Sequence, residues 1–216
     1  MTQLDRPDAF FIADHCALDF LNSIAEPSSV EYEWLASGQD LLDWLLTAEL
    51  VPARVFKEFS NKKFIKELDE VAHKARKLRE WLRDFVIRHA GSALEPVSIK
   101  ELKSINKLLS GDCAYTQIEL NTEQDEAYST TPLVINLNRQ WSEPNSLLFP
   151  LAEIISDLVC HVDFSQIKNC EGPTCSLWFY DVSKNHGRRW CTMSVCGNRA
   201  KAAAHRAKKR AAKKLE

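Results

Sequence analysis

The sequence lacks any apolar stretch of the ~18 residues that a membrane-spanning helix needs. It also lacks internal repeats, and its one low-complexity segment is an Ala/Lys/Arg-rich end. No Ser/His/Asp set, phosphate-binding loop or metal motif with an open coordination position is recognisable. These absences predict a protein that is neither a membrane protein nor an enzyme. Residues 1–5 do not resemble a secretory signal, so we expect a cytoplasmic location.

The formal net charge of −2 conceals a strong segregation of charge along the 216 residues. Between Ser183 and Glu216 there are eleven Lys/Arg and one Glu, which leaves 17 basic and 29 acidic residues for the rest of the chain. The C-terminal part is therefore strongly cationic and the larger body anionic. This asymmetry favours a polyanionic partner, although a merely solvated basic helix would have the same composition.

Four of the seven cysteines form two pairs with equal spacing, C-E-G-P-T-C at 170–175 and C-T-M-S-V-C at 191–196. Gly172 and Pro173 provide the turn inside the first pair. Four thiolates in two knuckles suit one tetrahedral Zn²⁺, and a reducing cytosol favours metal over two disulfides or ordinary buried thiols. The zinc is expected to be structural, because the protein supplies every ligand. The expected ligands are Cys170, Cys175, Cys191 and Cys196.

The residues after the second cysteine pair predict a basic helix. From Arg199 the chain consists almost entirely of alanine, lysine and arginine, which are strong helix formers, with no Gly or Pro. For Asn198 two roles stay open, a contact with an adenine edge or phosphate and a cap on the helix backbone. The residues expected to contact nucleic acid are Arg188, Arg189, Asn198, Arg199, Lys201, Arg206, Lys208, Lys209 and Arg210.

The segment between the cysteine pairs predicts a small hairpin. Residues 177–181 are aromatic and strand-like, 185–187 form a turn candidate, and 188–190 return toward Cys191. A knuckle, a hairpin and a helix that carries the second ligand pair make a treble-clef-like arrangement. Its aromatic side chains either form the core of the module or stack on bases, and both interpretations stay open.

The body is predicted to be mainly α-helical, with one small β-hairpin. A 3.6-residue period dominates, and only 115–121 and 132–138 alternate between apolar and polar residues as half-buried antiparallel strands do. The helical patterns begin near Cys16 (ending at Pro27), Asp40, Ala53 (running to His89, with a break near Ser60), Ser98 and Ser146.

Two groups of body residues are given structural interpretations. Arg76, Arg79 and Arg83 alternate with acidic residues, which indicates a solvated helix face. The three cysteines outside the pairs are expected to be small core residues. They are Cys16, Cys113 and Cys160.

The motifs at the two ends carry a family resemblance. Residues 196–199 read C-G-N-R, and with the W-F-Y-D run at 178–181 and the two cysteine pairs they resemble the CGNR zinc finger. Residues 16–23 read C-A-L-D-F-L-N-S and resemble the L-D-F-x-N-[ST] opening of the ABATE domain. That domain precedes this finger in bacterial stress-induced transcription regulators. The resemblance implies an ABATE-like helical domain at 1–164 and a finger with its basic helix at 165–216.

Asp19 and Asn22, three residues apart on one helix, have two open interpretations. They form a polar pocket for a small-molecule ligand, or they cap the helix and bond to a neighbouring segment. Together the features predict a zinc-containing, DNA-binding transcription regulator whose body dimerises or senses an effector. The alternative is a zinc-stapled interaction module that docks an acidic protein partner. Chelation is expected to unfold the finger and to leave the body largely intact.

Overall fold

The computed structural model of the chain describes residues 6–27, 30–120 and 132–212. Within these ranges the protein is mainly helical, as the sequence predicts, and it contains three antiparallel strand pairs. The helices are α1 (Cys16–Leu21), α2 (Gly38–Thr47), α3 (Ala53–Phe59), α4 (Ile65–His89), α5 (Lys103–Leu109), α6 (Leu148–His161) and α7 (Asn198–Ala212). The strands are β1 (Ile24–Ala25), β2 (Tyr32–Glu33), β3 (Ala114–Leu120), β4 (Leu133–Arg139), β5 (Ile167–Asn169) and β6 (Trp178–Tyr180). None of the described helices is long and apolar enough to cross a membrane.

The 25-residue helix α4 is the scaffold of the body. Its apolar positions recur at three- and four-residue steps and are buried from Leu68 to Val86. Helix α2 approaches α4 closely at Gly38, where an added Cβ would lie only 2.4 Å from the Cβ of Leu68. The short helix α1 packs against α4, α6 and β6, and its residues from Ala17 to Leu21 are all buried. It is therefore central to the fold despite its length.

The arginines of α4 are structural, so their interpretation as a solvated face is wrong. Arg79 is 2% exposed, and its guanidinium donates to both carboxylate oxygens of Glu33 at 2.7 and 2.8 Å and to Ser23 Oγ at 3.1 Å. Arg83 donates to the carbonyl of Leu21 at 2.7 Å, and Arg76 donates to two carbonyls before α2. A row of arginines thus joins α4 to the N-terminal segments and satisfies their backbone acceptors.

Several helix boundaries differ from the expected ones. Helix α1 ends at Leu21 instead of continuing to Pro27, and Ile24 pairs with Glu33 in the short β1–β2 ribbon. The helix expected from Ser98 is divided into a 3₁₀ turn, Pro96–Lys100, and α5. The break near Ser60 is confirmed, since α3 ends at Phe59 and α4 begins at Ile65.

The predicted hairpin is confirmed as β3 and β4, paired from Ala114 with Arg139 to Leu120 with Leu133. The expectation that its strands are half-buried through their apolar residues is wrong, because Ile118 and Ile135 are 67% and 70% exposed. The connection at 121–131 lies outside the described residues. Cys113 and Cys160 are also exposed, contrary to their expected place in the core, while Cys16 is half-buried.

Candidate metal centre

The four paired cysteines converge on one point. All four are buried, and their Sγ atoms lie within 4.8 Å of one another. The Sγ atoms of Cys175 and Cys191 are 3.8 Å apart, and those of Cys191 and Cys196 are 3.6 Å apart. Four sulfurs placed tetrahedrally ~2.3 Å from a zinc ion would be separated by ~3.8 Å. The cluster therefore has the dimensions and the donor type of a closed tetrahedral zinc site.

The first cysteine pair lies at the tip of the β5–β6 hairpin. The Cys170 N–H donates to the Leu177 carbonyl at 2.9 Å, and the Cys175 N–H donates to the Gly172 carbonyl at 3.0 Å, which closes the turn. A Cβ on Gly172 would lie 3.0 Å from the Cys175 Cβ and 3.2 Å from the Cys196 Sγ, so a larger residue there would crowd two of the clustered cysteines. The strand partner of 178–180 is 167–169 and not the expected 188–190.

The second pair is held by backbone contacts with the first. The Cys191 N–H donates to the Cys170 Sγ at 3.3 Å, which places the backbone of the second pair directly against a sulfur of the first. Glu171 N–H donates to the Arg189 carbonyl at 3.0 Å and ties the two segments together. Cys196 lies in a π-helical turn, Met193–Gly197, that leads directly into α7. The cysteine cluster thus fixes the position at which the basic helix begins.

The thiols cannot all ionise in this space without a cation. The hydrogen bond from Cys191, together with others, lowers the pKa of Cys175 to about 5 against the effect of burial. The Cys175 thiolate and burial in turn raise the pKa of Cys191 well above its usual range. A divalent metal would neutralise these charges and hold all four sulfurs as thiolates.

A fully buried aspartate, missed by the sequence analysis, orders the loop between the cysteine pairs. Burial would raise the pKa of Asp181, but Lys168 Nζ at 2.6 Å, Ser183 and the Arg188 N–H hold it well below the usual range. The carboxylate therefore stays ionised and closes residues 181–188 into a compact turn. The only indication of this role in the sequence is the position of Asp181 in the W-F-Y-D motif.

The finger is joined to the body through Asn22. The Asn22 side-chain amide donates to the Trp178 carbonyl at 2.8 Å, and its oxygen accepts from the Trp178 N–H at 3.0 Å. Two residues further along the same edge of β6, the Tyr180 N–H donates to the Ala13 carbonyl at 2.8 Å. Strand β6 is therefore paired with β5 on one side and with the N-terminal segment and α1 on the other.

Arg188 strengthens the same junction. Its guanidinium lies 4.2 Å from the centre of the Phe179 ring and donates to the carbonyls of Ile12 and Cys191 at 2.9 and 2.5 Å. It also forms an ion pair with Asp14. The guanidinium of Arg188 is thus bonded within the protein, unlike the free guanidinium that would bind a phosphate.

Asp19 and Asn22 are both buried and hydrogen-bonded to backbone groups. Asp19 Oδ1 accepts hydrogen bonds from the backbone N–H groups of Ile12 and Ala13 at 2.9 and 3.0 Å, and Asn22 is occupied by Trp178. These contacts correspond to the second interpretation, capping and bonding to a neighbouring segment. Burial raises the pKa of Asp19 to about 6, although the two backbone bonds act in the opposite direction.

The remaining predicted nucleic-acid contacts lie on or beside α7. Arg189 pairs with Glu171 at 2.5 Å, and Arg199 donates to the Pro27 carbonyl at 2.8 Å. The Asn198 side chain donates to the Ser194 carbonyl at 3.1 Å and so stabilises the start of the helix. Five of the predicted basic contacts have side chains that are described and exposed: Arg189, Arg199, Lys201, Arg206 and Lys209. The side chains of Lys208 and Arg210 lie outside the described part of the chain.

Two family models match the chain in the expected order. One, ABATE, carries the description "Putative stress-induced transcription regulator" and matches residues 14–162. The other, the CGNR zinc finger, matches residues 166–209. A search of curated proteins gives no match. The motif resemblance is thereby confirmed for both parts of the sequence.

The raised pKa of Asp19 predicts a specific pH dependence of stability. The fold favours the protonated carboxyl, so this contribution is complete below the unfolded pKa of 3.8 and is lost as the pH rises through about 6. Between pH 5 and pH 7.5 the wild type should lose ~1 to 1.5 kcal/mol of unfolding free energy relative to Asp19→Asn. Urea unfolding of both proteins at both pH values measures this change, and cysteine titration cancels in the comparison. A difference that is the same at both pH values would contradict the raised pKa.

Proposed function

The chain belongs to the ABATE family and ends in a CGNR zinc finger, and from this premise we propose that it is a DNA-binding transcription regulator. In this proposal the division lies between residues 164 and 165, with the helical domain before it and the finger after it. The family description and the four-cysteine cluster support a zinc-binding regulatory protein. Contact with duplex DNA is the further step that we propose.

The proposed zinc ligands are the four clustered thiolates. The support is geometric: the sulfur separations fit a tetrahedral ion, the cysteines are buried, and a backbone N–H bonds to the Cys170 sulfur. With every position filled by the protein, the ion would serve to fold the finger and not to activate water. The proposed ligands are Cys170, Cys175, Cys191 and Cys196.

The observation that carries the DNA proposal is the free-standing basic helix. Every side chain from Lys201 to Ala207 is exposed, including the alanines, so this part of α7 presents its whole circumference to solvent. Its alanines keep it helical without tertiary packing. Helix α7 spans 15 residues, or ~22 Å, and contains no acidic residue. An exposed cationic helix whose N-terminus is held by the finger suits the major groove of a duplex.

The cations are divided between two roles in this proposal. We assign Arg188 to the junction with the body, because its donors are used there. Arg189 and Arg199 have exposed guanidinium groups close to the finger and remain available to phosphates once their surface bonds exchange. The principal proposed phosphate contacts are Lys201, Arg206, Lys208, Lys209 and Arg210.

The runner-up function, docking of the helix on an acidic protein surface, includes the acidic body of the chain itself. Exposure of all described side chains from Lys201 to Ala207 disfavours that intramolecular form. A separate acidic protein remains the alternative that the DNA experiment below tests. We also propose a cytoplasmic location, which accords with all seven cysteines being free thiols. A small-molecule effector stays a prediction without an assigned site.

We predict one zinc ion per chain. Elemental analysis of the purified protein should give a 1:1 ratio, and Cys191→Ser combined with Cys196→Ser should abolish it, because two ligands cannot hold the ion. The matched control is Cys113→Ser with Cys160→Ser, which removes two exposed thiols that are not part of the four-cysteine cluster and should retain the metal. Wild-type protein without metal, or full metal content in the first variant, would refute the assignment.

We predict salt-dependent binding to duplex DNA of any sequence. Affinity should fall steeply with salt, with a log–log slope of about −0.9 for each phosphate neutralised. The triple variant Lys201→Ala, Arg206→Ala and Lys209→Ala should weaken binding to all sequences alike. It should also make the slope shallower by about two to three. Fluorescence anisotropy with the full-length protein at several salt concentrations measures both quantities.

The control for this experiment removes the same charge elsewhere. Lys57, Lys62 and Lys66 are exposed on the body, and their replacement by alanine should leave the slope unchanged. No binding by the wild type even at low salt would discard the DNA proposal and leave the protein-interaction function. An equal loss in the control variant would show that α7 is not the contact surface.

A further inference from the structure

The β3–β4 hairpin has two chemically different faces. Ile118 lies directly opposite Ile135, and Thr116 lies opposite Leu137, so these side chains share one face. We call it the aliphatic face, made of Thr116, Ile118, Leu120, Leu133, Ile135 and Leu137. The alternating residues form the polar face, made of Tyr115, Gln117, Glu119, Val134, Asn136 and Asn138.

The polar face is the one turned toward the body. Glu119, Asn136 and Asn138 border a cavity of about 690 Å³ whose other wall includes Leu50 and Arg54 from the α2–α3 region. The Glu119 carboxylate accepts hydrogen bonds from the side-chain amides of Asn136 and Asn138 at 2.8 and 2.9 Å. These hydrogen bonds hold the Glu119, Asn136 and Asn138 side chains together on the side of the hairpin that faces the helices.

The aliphatic face is exposed to solvent. Ile118, Leu120, Ile135 and Leu137 are 67%, 70%, 70% and 60% exposed, and Leu137 also touches the rim of the cavity. An antiparallel sheet ordinarily places its apolar side against the protein and its polar side in water, and this hairpin does the reverse. The four side chains expose on the order of 400–500 Å² of apolar surface, comparable to the ~300–600 Å² of the largest patch on a typical monomer.

We propose that the aliphatic face is a dimer interface, on which a second copy of this chain packs its own aliphatic face. The charged residue on this side of the hairpin, Arg139, is 9% exposed and paired with Asp112 and Glu153, so the exposed aliphatic face offers nothing to orient a charged partner. An aliphatic surface is complementary to itself, and a two-fold contact would match each face with its copy.

The size of the surface also fits a second copy. Two aliphatic faces would remove on the order of 900 Å² from water, and the surrounding hairpin residues would bring the total toward the ~1,200–2,000 Å² of stable interfaces. A two-stranded hairpin is marginal by itself, whereas two hairpins packed face to face make a four-stranded, two-layer sandwich. The proposal does not rest on DNA binding, because the oligomeric state is measured without nucleic acid.

Sedimentation velocity of the full-length chain from ~1 to ~100 µM tests the proposal directly. The wild type should shift from monomer to dimer within this range. Ile118→Ser combined with Ile135→Ser places four hydroxyls in the centre of the dimer and should raise its dissociation constant at least ~100-fold. The control is Gln117→Ser with Asn136→Ser, the neighbouring opposed pair on the polar face, which should leave the dimer intact.

Three outcomes would overturn the proposal: a wild type that is monomeric throughout, an aliphatic-face variant as dimeric as the wild type, or an equal loss in the control. Circular dichroism verifies that the variants fold.

Hydrogen exchange gives a second readout that needs no variant. Amides in 114–120 and 133–139 should exchange more slowly as the wild-type concentration rises, and exchange independent of concentration would equally refute the interface.

Discussion

The pair of hydrogen bonds between the Asn22 side chain and the Trp178 backbone is the contact on which the arrangement of the finger depends. Strand β6 has β5 on one edge, and its other edge would present buried N–H and C=O groups without partners. The Asn22 amide supplies one donor and one acceptor at the required spacing. A buried polar group left without a partner costs ~1–3 kcal/mol, so loss of the Asn22 side chain would weaken the attachment of the finger to the body by an energy of this order.

The other residues of the L-D-F-x-N-[ST] motif connect this junction to further parts of the body. Leu18, Phe20 and Leu21 are fully buried and anchor α1 in the body, while Asp19 holds the preceding segment by two backbone N–H groups. Ser23 accepts from Arg79 and so connects the motif to α4. The described contacts of the L-D-F-x-N-[ST] pattern are therefore those of a structural junction between body and finger.

The body in turn determines the direction of the basic helix. Helix α7 starts at the second cysteine pair, the cysteine pairs are held by the β5–β6 hairpin, and the hairpin is held by α1. Arg188 adds a second connection between body and finger, because it donates both to the Ile12 carbonyl and to the Cys191 carbonyl. In the proposed regulator, these bonded contacts would connect a change in the body to α7.

Features that depend on local sequence could be predicted, and features that depend on tertiary contacts could not. Cysteine spacing, the 3.6-residue period of α4 and the alanine-rich composition of α7 each specify their structure within a few residues. The role of Arg79 depends on Glu33 and Ser23, which lie 46 and 56 residues away, and composition cannot show that pairing. Likewise, alternation correctly predicted β3 and β4 but could not show which face of the hairpin is turned toward the helices.

The most direct test of this account is hydrogen exchange before and after zinc removal by a chelator. Since the body and the finger share the contacts of Asn22 and Arg188, loss of the metal should accelerate exchange at 12–22 together with 167–197. The sequence alone led to the expectation that the body stays largely intact, whereas the shared backbone bonds of Ile12, Ala13 and Trp178 predict a local effect on the body at 12–22. Faster exchange confined to 167–197, with 12–22 unchanged, would contradict the account.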